Sequence, residues 1–405
     1  MKITNRLFSL IAFLFLLPAA VQAIEFGVVA NIHGGTGNSA AEDNEMDLKI
    51  DLWPRLFTLI GDNAELLITA GVSSSMENDF YPIPELLHTE FSMRFGPSGL
   101  RLGRFNYSDP LSFIAEGLFD GAQFFANTQS GTFRAGVWYT GLLYKNNIVI
   151  AMTDNERINN SKPVDYDDFF DTYFASRRLI ASLGWEHPSL GEFMHLNTAL
   201  LAQVDLTGED EKYNSQYLII KSRIPVNNFI IELGGSLETL QSSERDEDFN
   251  VAFAGEAGFM WMFPGKFNSR LSFNGKYASG RVEDFCDAFN PVTSKYYGFI
   301  LKHKMSGLSV FTLNYSSRIN QFFGASANAL YFVRNDLGTF SGYPLTSPDN
   351  KGYFLGPEFS ARLIWSPVSD LQLNLGGGAF LPNLGDAGPD EKIIWRVELT
   401  AILAL

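Results

Sequence analysis

The sequence predicts an all-β protein, a transmembrane antiparallel up-and-down β-barrel of about 18 strands, with about 16 as the alternative count. Three observations carry this reading. Apolar and polar residues alternate with the strand period of two in segment after segment. Each segment is about ten residues long, enough for a tilted strand to cross a bilayer. Short turn signals alternate along the chain with longer polar connections, as an up-and-down barrel requires.

The first segment stands apart from that pattern. Lys2 and Arg6 precede an apolar stretch from Leu7 to Leu17, broken by Pro18 and followed by the small-residue site Val21-Gln22-Ala23. This is the make-up of an export signal, so residues 1–23 are expected to be removed, leaving 24–405 as the barrel. The stretch is shorter than the ~20 residues of a spanning helix, and no Cys near Ala23 offers a lipid attachment point. Beyond Ala23 no apolar run reaches the ~18 residues of a helical membrane span.

From Ile24 onward the chain reads as strands. Phe267, Leu271, Phe273 and Tyr277 oppose Arg270, Ser272, Asn274 and Lys276. Phe229, Ile231, Leu233 and Leu237 oppose Glu232, Ser236 and Glu238; Phe359, Ala361, Leu363 and Trp365 oppose Glu358, Ser360 and Arg362. At the C-terminus Ile393, Trp395, Val397, Leu399, Ala401, Leu403 and Leu405 oppose Arg396, Glu398 and Thr400. A soluble sandwich also alternates, but its strands average about five or six residues, and length favours the barrel.

Short turns are expected at Gly61-Asp62-Asn63, Gly96 to Gly99, Gln129 to Gly131, Pro188 to Leu190, Pro225 to Asn227, Pro264 to Lys266, Ser306-Gly307 and Ser366 to Val368. Between them fall longer connections near 34–44, 74–85, 107–118, 146–169, 206–213, 240–249, 280–294, 319–352 and 381–390. About seventeen connections give about 18 strands, an even number as in bacterial single-chain barrels. The stretch 319–352 is assigned as a long loop, with Ala325 to Val333 as a competing strand.

Composition narrows the function. Thirty Lys and Arg against 45 Asp and Glu give a net charge of −15, which opposes wrapping a nucleic-acid backbone, so no nucleic-acid partner is expected. One Cys and five His leave little material for a metal site, and no cofactor is expected.

With signal, amphipathic strands and a lipid-facing last strand in place, the chain resembles Gram-negative outer-membrane porins. In those proteins the last strand serves as an assembly signal for the barrel-assembly machinery and usually ends in Phe; here it ends in Leu405. The resemblance implies periplasmic termini, short periplasmic turns and long outer loops. Leu100-Arg-Leu-Gly-Arg-Phe105, followed by Gly117-Leu-Phe-Asp-Gly121, resembles elements of substrate-specific porins and of the alginate-export family. A strand beginning at Ile24 leaves no room for the plug of siderophore receptors or the hatch of fatty-acid transporters.

Assigning the polar parity to the interior predicts a lumen lined by Arg94, Arg101, Arg104, Arg134, Arg178, Lys221, Arg223, Arg270, Lys276, Lys302, Arg318, Arg362 and Arg396. Lys49 and Lys304 join them, with fewer acids, among them Glu232, Glu256 and Glu358. Such a lumen raises the local concentration of anions, although the alternative is that these groups pair across strands and keep the interior wet. Arg101 and Arg104 differ by an odd number and face one way only if Gly103 forms a bulge; otherwise one Arg extends toward headgroups. The apolar character of 107–118 suggests an inward fold and a constriction.

The expected function is passive diffusion of small hydrophilic solutes with a modest anion preference. The alternative is a channel for a sugar acid or acidic polysaccharide, in export or uptake. Expected partners are membrane lipid, surface glycolipid near acidic loops such as Glu209 to Glu211, the solute, and the assembly machinery, with the assembly either a monomer or a homotrimer. An enzyme is the weaker reading: His187 and Ser189 fall at a short turn, and His195 has no catalytic partner evident in sequence. Adhesion would need larger loops, and Cys286 has no evident partner.

Overall fold

In a computed structural model the described residues are 21–39, 45–75, 81–208, 211–243, 250–265, 267–283, 285–338, 352–387 and 392–405. Most of the expected signal, residues 1–20, lies outside them, as does much of the acidic-loop sequence. The strands are β1 (Val21–Gly37), β2 (Glu45–Ile60), β3 (Ala64–Ser75), β4 (Tyr81–Phe95), β5 (Ser98–Ser108), β6 (Glu116–Thr128), β7 (Gly131–Tyr139), β8 (Arg178–Leu190), β9 (Met194–Asp205) and β10 (Tyr213–Val226). They continue as β11 (Phe229–Ser242), β12 (Asn250–Met262), β13 (Arg270–Ala278), a small hairpin of β14 (Tyr296–Tyr297) and β15 (His303–Lys304), then β16 (Leu308–Arg318), β17 (Phe323–Arg334), β18 (Phe354–Val368), β19 (Leu371–Phe380) and β20 (Ile394–Ala404). Two helices, α1 (Asp154–Ser161) and α2 (Phe169–Tyr173), lie between β7 and β8.

All but β14 and β15 form one 18-stranded antiparallel sheet in which each strand pairs with its neighbours in sequence. The first and last strands pair from Val29 opposite Ala404 to Gly37 opposite Arg396, which closes the barrel. Closure leaves no outer edge, so backbone groups along the ladder find partners within the sheet wherever neighbouring strands stay paired.

The expected strand number holds, but two assignments exchange places. Residues 295–305, expected as a strand ending at the Ser306-Gly307 turn, fold instead as the β14–β15 hairpin within the long connection 279–307. The competing strand at Ala325 to Val333 is real: it is β17, and 319–322 is a short turn. Tyr296, Tyr297 and the apolar run after them mimic a strand, but Tyr297, Ile300, Leu301 and Met305 pack inside the barrel in the cluster that holds Phe332 and Phe380.

Alternation sets two faces. Leu233, Leu237, Phe259, Phe273, Phe311, Leu363, Val397 and Leu399 are exposed on the outward face. Near the short turns it carries stacked aromatic pairs, Phe229 with Trp261 at 5.5 Å and Phe323 with Trp365 at 5.8 Å, the arrangement of an interfacial aromatic girdle. On the inward face the long-loop half is filled by loop residues, Leu111, Phe113, Ile150, Phe289 and Leu301 among them, all at most 1 % exposed. The short-turn half is lined by polar and charged side chains.

One wall is interrupted. β5 pairs with β6 over its whole length, from Ser98 opposite Ala126 to Ser108 opposite Glu116, but with β4 only from Phe91 opposite Leu102 to Phe95 opposite Ser98. Gly103 sits where the strands part, with φ +99° and space so tight that a Cβ would lie 1.9 Å from the Thr89 carbonyl oxygen. A side chain there faces both backbone strain and a clash with main chain. Gly103→Val is therefore expected to cost at least ~1–2 kcal/mol and to lower the temperature at which the folded band disappears on heated, semi-denaturing gels, whereas Gly265→Ala, in open space, leaves it unchanged.

Candidate solute pathway

Three connections enter the barrel from the long-loop end: 109–115, 140–177 and 279–307. The first is built around one carboxylate. Asp109 accepts backbone N–H bonds from Leu111 at 2.7 Å, Ser112 at 3.0 Å, Ile114 at 2.8 Å and Ala115 at 2.9 Å. This fixes a tight loop whose Leu111 reaches Gly234 on β11 and whose Phe113 packs on Phe289. The inward constriction expected from the apolar character of 107–118 is thus present.

The other two connections are pinned to the inner wall by buried charge. Thr153 and Glu156 form a capping box at the start of α1. Arg178, fully enclosed, then binds Glu156 through Nε at 2.9 Å, Gln203 at 2.7 Å, the Tyr213 carbonyl at 2.8 Å and Asp205 at 3.1 Å. Glu238 on β11 accepts from the Asn290 N–H at 2.9 Å and from Tyr213 and Tyr217 at 3.0 and 3.1 Å. Glu358 on β18 accepts the N–H groups of Phe299, Ile300 and Leu301 at 2.5, 2.9 and 2.9 Å. Arg178 and Glu358, expected to face the pore, instead hold its loops.

Two cavities flank this plug and share no lining residue. The loop-side one, about 1000 Å³, is lined among others by Arg157, Glu211, Asp287, Lys302 and Lys304. The turn-side one, about 340 Å³, is bounded by Leu111, Lys221, Glu232, Glu256, Lys276 and Lys295. The extended segment 294–297 parts them by its own alternation, with Ser294 and Tyr296 lining the first and Lys295 and Tyr297 the second. It is tied down by the Ser294 N–H on the Val149 carbonyl and the Thr293 N–H on the Ile114 carbonyl, at 2.8 and 3.1 Å. Lys295 adds a 2.5 Å ion pair with Glu116.

Apart from Lys302 and Arg104, the expected cations fall into three groups. Arg178 is buried as described. Several are paired: Arg101 with Glu90 at 2.7 Å, Lys221 with Glu256 at 2.7 Å, Arg223 with Glu232 at 2.7 Å, Lys276 with Glu256, Arg134 with Glu186, and Arg396 with Asp47 and Glu398. Among the described residues, Arg94, Arg318 and Arg362 make no ion pair, and Arg270 binds only Ser316 Oγ, at 2.7 Å. These four are exposed within the barrel's short-turn half. Lys302 lies on the loop-side cavity rather than on a barrel strand. Arg104 leaves the set: it stands on the parity opposite Arg101 and Phe105 and pairs with Asp120 at 2.7 Å. Of the two arrangements open to Arg101 and Arg104, the one in which a bulge at Gly103 turns both inward is not adopted.

His195 bonds to Glu186 at 2.9 Å, within the Arg134 pair. Lys295, Asp109 and the α1 cap escaped the sequence reading, although Thr153-x-x-Glu156 is a visible capping signature. Lys304 donates to the Ala151 carbonyl at 2.7 Å and Asn290 Oδ1 at 2.9 Å. Burial, then Arg157, pushes its ammonium down to about 8.

No family model matches the chain, and no curated protein matches it in sequence. Solved structures match its fold. OccK2 (OpdF) of Pseudomonas aeruginosa is 13% identical, with 95% of this chain and 99% of that chain covered and a TM-score of 0.62. The same protein in complex with glucuronate aligns at 15% identity, over 96% and 99% of the two chains, with a TM-score of 0.62. The outer membrane protein opdK of that organism aligns at 10% identity, over 96% and 100%, again with a TM-score of 0.62. The 18-stranded barrel is therefore a fold these proteins share.

Two outcomes test the site. Arg178→Met leaves Glu156 and Asp205 buried without their cation, at a cost of about 3–5 kcal/mol, and should make the 140–177 connection cleavable by protease while the barrel strands stay protected. Lys304 is charged below pH 8 and neutral above it. Because its value is depressed from 10.5, its charge opposes folding at low pH, and stability from this group rises as pH climbs from about 8 to 10.5. Any anion preference it contributes should fall through pH 8, and Lys304→Gln should remove that step from a pH titration of the reversal potential.

Proposed function

We propose that the protein is an outer-membrane channel through which small hydrophilic solutes diffuse down their gradients, with a modest preference for anions. The observation that carries this reading is the division of one closed barrel into an apolar outward face and a charged inward face, with four arginines in the short-turn half that make no ion pair among the described residues. A channel fits better than an enzyme, since His195, the histidine weighed from sequence as a lumenal base, is engaged by a salt-bridged glutamate and not by a nucleophile.

In this reading the N-terminal segment is an export signal, the barrel sits in lipid and is inserted by the assembly machinery, and both termini and the short turns are periplasmic. The aromatic pairs near the short turns then lie at the inner headgroup level.

A substrate-specific channel for a sugar acid is the second reading. It is favoured by the turn-side cavity, where Lys221, Lys276 and Lys295 converge near the constriction, and by the shared fold of a channel crystallised with glucuronate.

Single-channel recording of the refolded protein in a planar bilayer across a salt gradient tests the first reading. Discrete conductance steps with a reversal potential on the anion side are expected, and Arg270→Gln with Arg362→Gln should move that potential toward zero without abolishing the steps. A folded protein that gives no steps would overturn it. Glucuronate that reduces current where glucose at equal concentration does not would favour the second reading.

A further inference from the structure

The interruption between β4 and β5 is a feature that solute diffusion along the barrel axis does not use. Above Phe91 the edge of β4 turned toward β5 carries the carbonyls of Leu86, Pro84 and Pro82. In an antiparallel strand a residue's N–H and C=O point to the same side, so Pro82 and Pro84 present no donor to that edge. Proline belongs on edges for this reason. Here it occurs inside a closed wall, and β5 cannot zip onto it.

Side chains close the gap instead. The Tyr166 hydroxyl donates to the Pro82 carbonyl, and the Tyr173 hydroxyl to the Pro84 carbonyl at 2.6 Å. Arg104 spans the seam: its guanidinium donates to the Leu86 carbonyl at 2.6 Å, to the Leu142 carbonyl at 2.8 Å and to both Asp120 oxygens at 2.8 and 2.7 Å. The flap so held is the 140–177 connection, folded on itself by the Lys145 N–H on the Tyr173 carbonyl and by the Tyr144–Tyr173 stack at 4.8 Å.

The two sides of the seam differ in chemistry. Outside, Leu86, Leu102, Phe124 and Val137 continue the exposed apolar band, and the flap adds Leu142 and Phe170, 55% and 78% exposed. Inside, the buried Glu85 takes Asn147 Nδ2 at 3.1 Å on one oxygen, while its Oε1 has no hydrogen-bond partner among the described residues. A buried carboxylate oxygen left open calls for a donor.

We propose that this seam is a lateral opening in the barrel wall, closed by the 140–177 flap, which admits the single acyl tail of an amphiphile whose uncharged, hydroxyl-bearing head reaches the lumen beside Glu85. The proposal rests on the membrane placement argued above. Charge selects the head: Asp120 already neutralises Arg104, so the free acceptor on Glu85 suits hydroxyl donors and repels anions. The tail meets apolar side chains already turned toward lipid.

The test uses the full barrel, with Cys286→Ser, in phosphatidylcholine vesicles and a bimane label on a single new cysteine. The probe is an undecanoyl maltoside brominated on its tail, added below its micelle concentration. Label at Val137→Cys, on the outward band, should be quenched, and label at Lys302→Cys, on the loop-side cavity, should not. Label at Asn147→Cys should be quenched, and adding Tyr166→Phe with Tyr173→Phe, which removes two closing bonds, should raise the open population and that quenching by roughly tenfold. Quenching at Val137 with none at Asn147 in either background would overturn the lateral opening alone. No quenching at Val137 would overturn the membrane placement, and the opening with it.

Discussion

A strand that crosses lipid must satisfy every backbone donor and acceptor inside the sheet, and a closed ladder is the arrangement that does so without a helix. The pairing of β1 with β20 completes that ladder, and the rest of the molecule is arranged around it. Because the ladder fixes parity, one alternation decides which side chains meet the outside and which meet the lumen. The long departure between β4 and β5 is met by tyrosine hydroxyls and an arginine rather than left open. The exception therefore obeys the same rule.

Inside the barrel the charged groups divide by task. Arg178, Glu238 and Glu358 are fully buried and hold loop backbone against the wall. Lys221, Lys276 and Glu256 form a tight cluster at the constriction. Arg94, Arg270, Arg318 and Arg362 remain exposed in the wider half. Counting lumenal cations thus overstates the positive field: a paired or buried arginine contributes orientation, and an unpaired one contributes potential.

Parity was readable from sequence because it depends on nearest neighbours along one strand. The C-terminal strand and the β11, β13 and β18 faces follow it directly, as does the barrel class. The strand at Phe323–Arg334 was harder, since Ala325, Ala327 and Ala329 give a weak outward face, while the apolar hairpin region 295–305 imitates a strand by packing inside the lumen. The fate of each charge was not readable at all. Arg178 and Arg134 look alike in their strands; what separates them is Glu156, 22 residues before Arg178 and brought to it by the 140–177 connection. Arg104 groups with Arg101 in sequence because nothing local reveals that Pro82 and Pro84, on another strand, open a seam for it to close.

The central claim, one closed barrel with a wet interior and a lipid-facing exterior, is tested most directly by cysteine accessibility along β13. In a Cys286→Ser background, single cysteines at Leu271, Ser272, Phe273 and Asn274 would be exposed in vesicles to a membrane-impermeant maleimide. The account predicts fast reaction at Ser272 and Asn274 and little at Leu271 and Phe273, because the first pair faces inward with Met260 and Gly258 across the ladder. Equal reactivity at all four, or fast reaction at Leu271 and Phe273 alone, would contradict it.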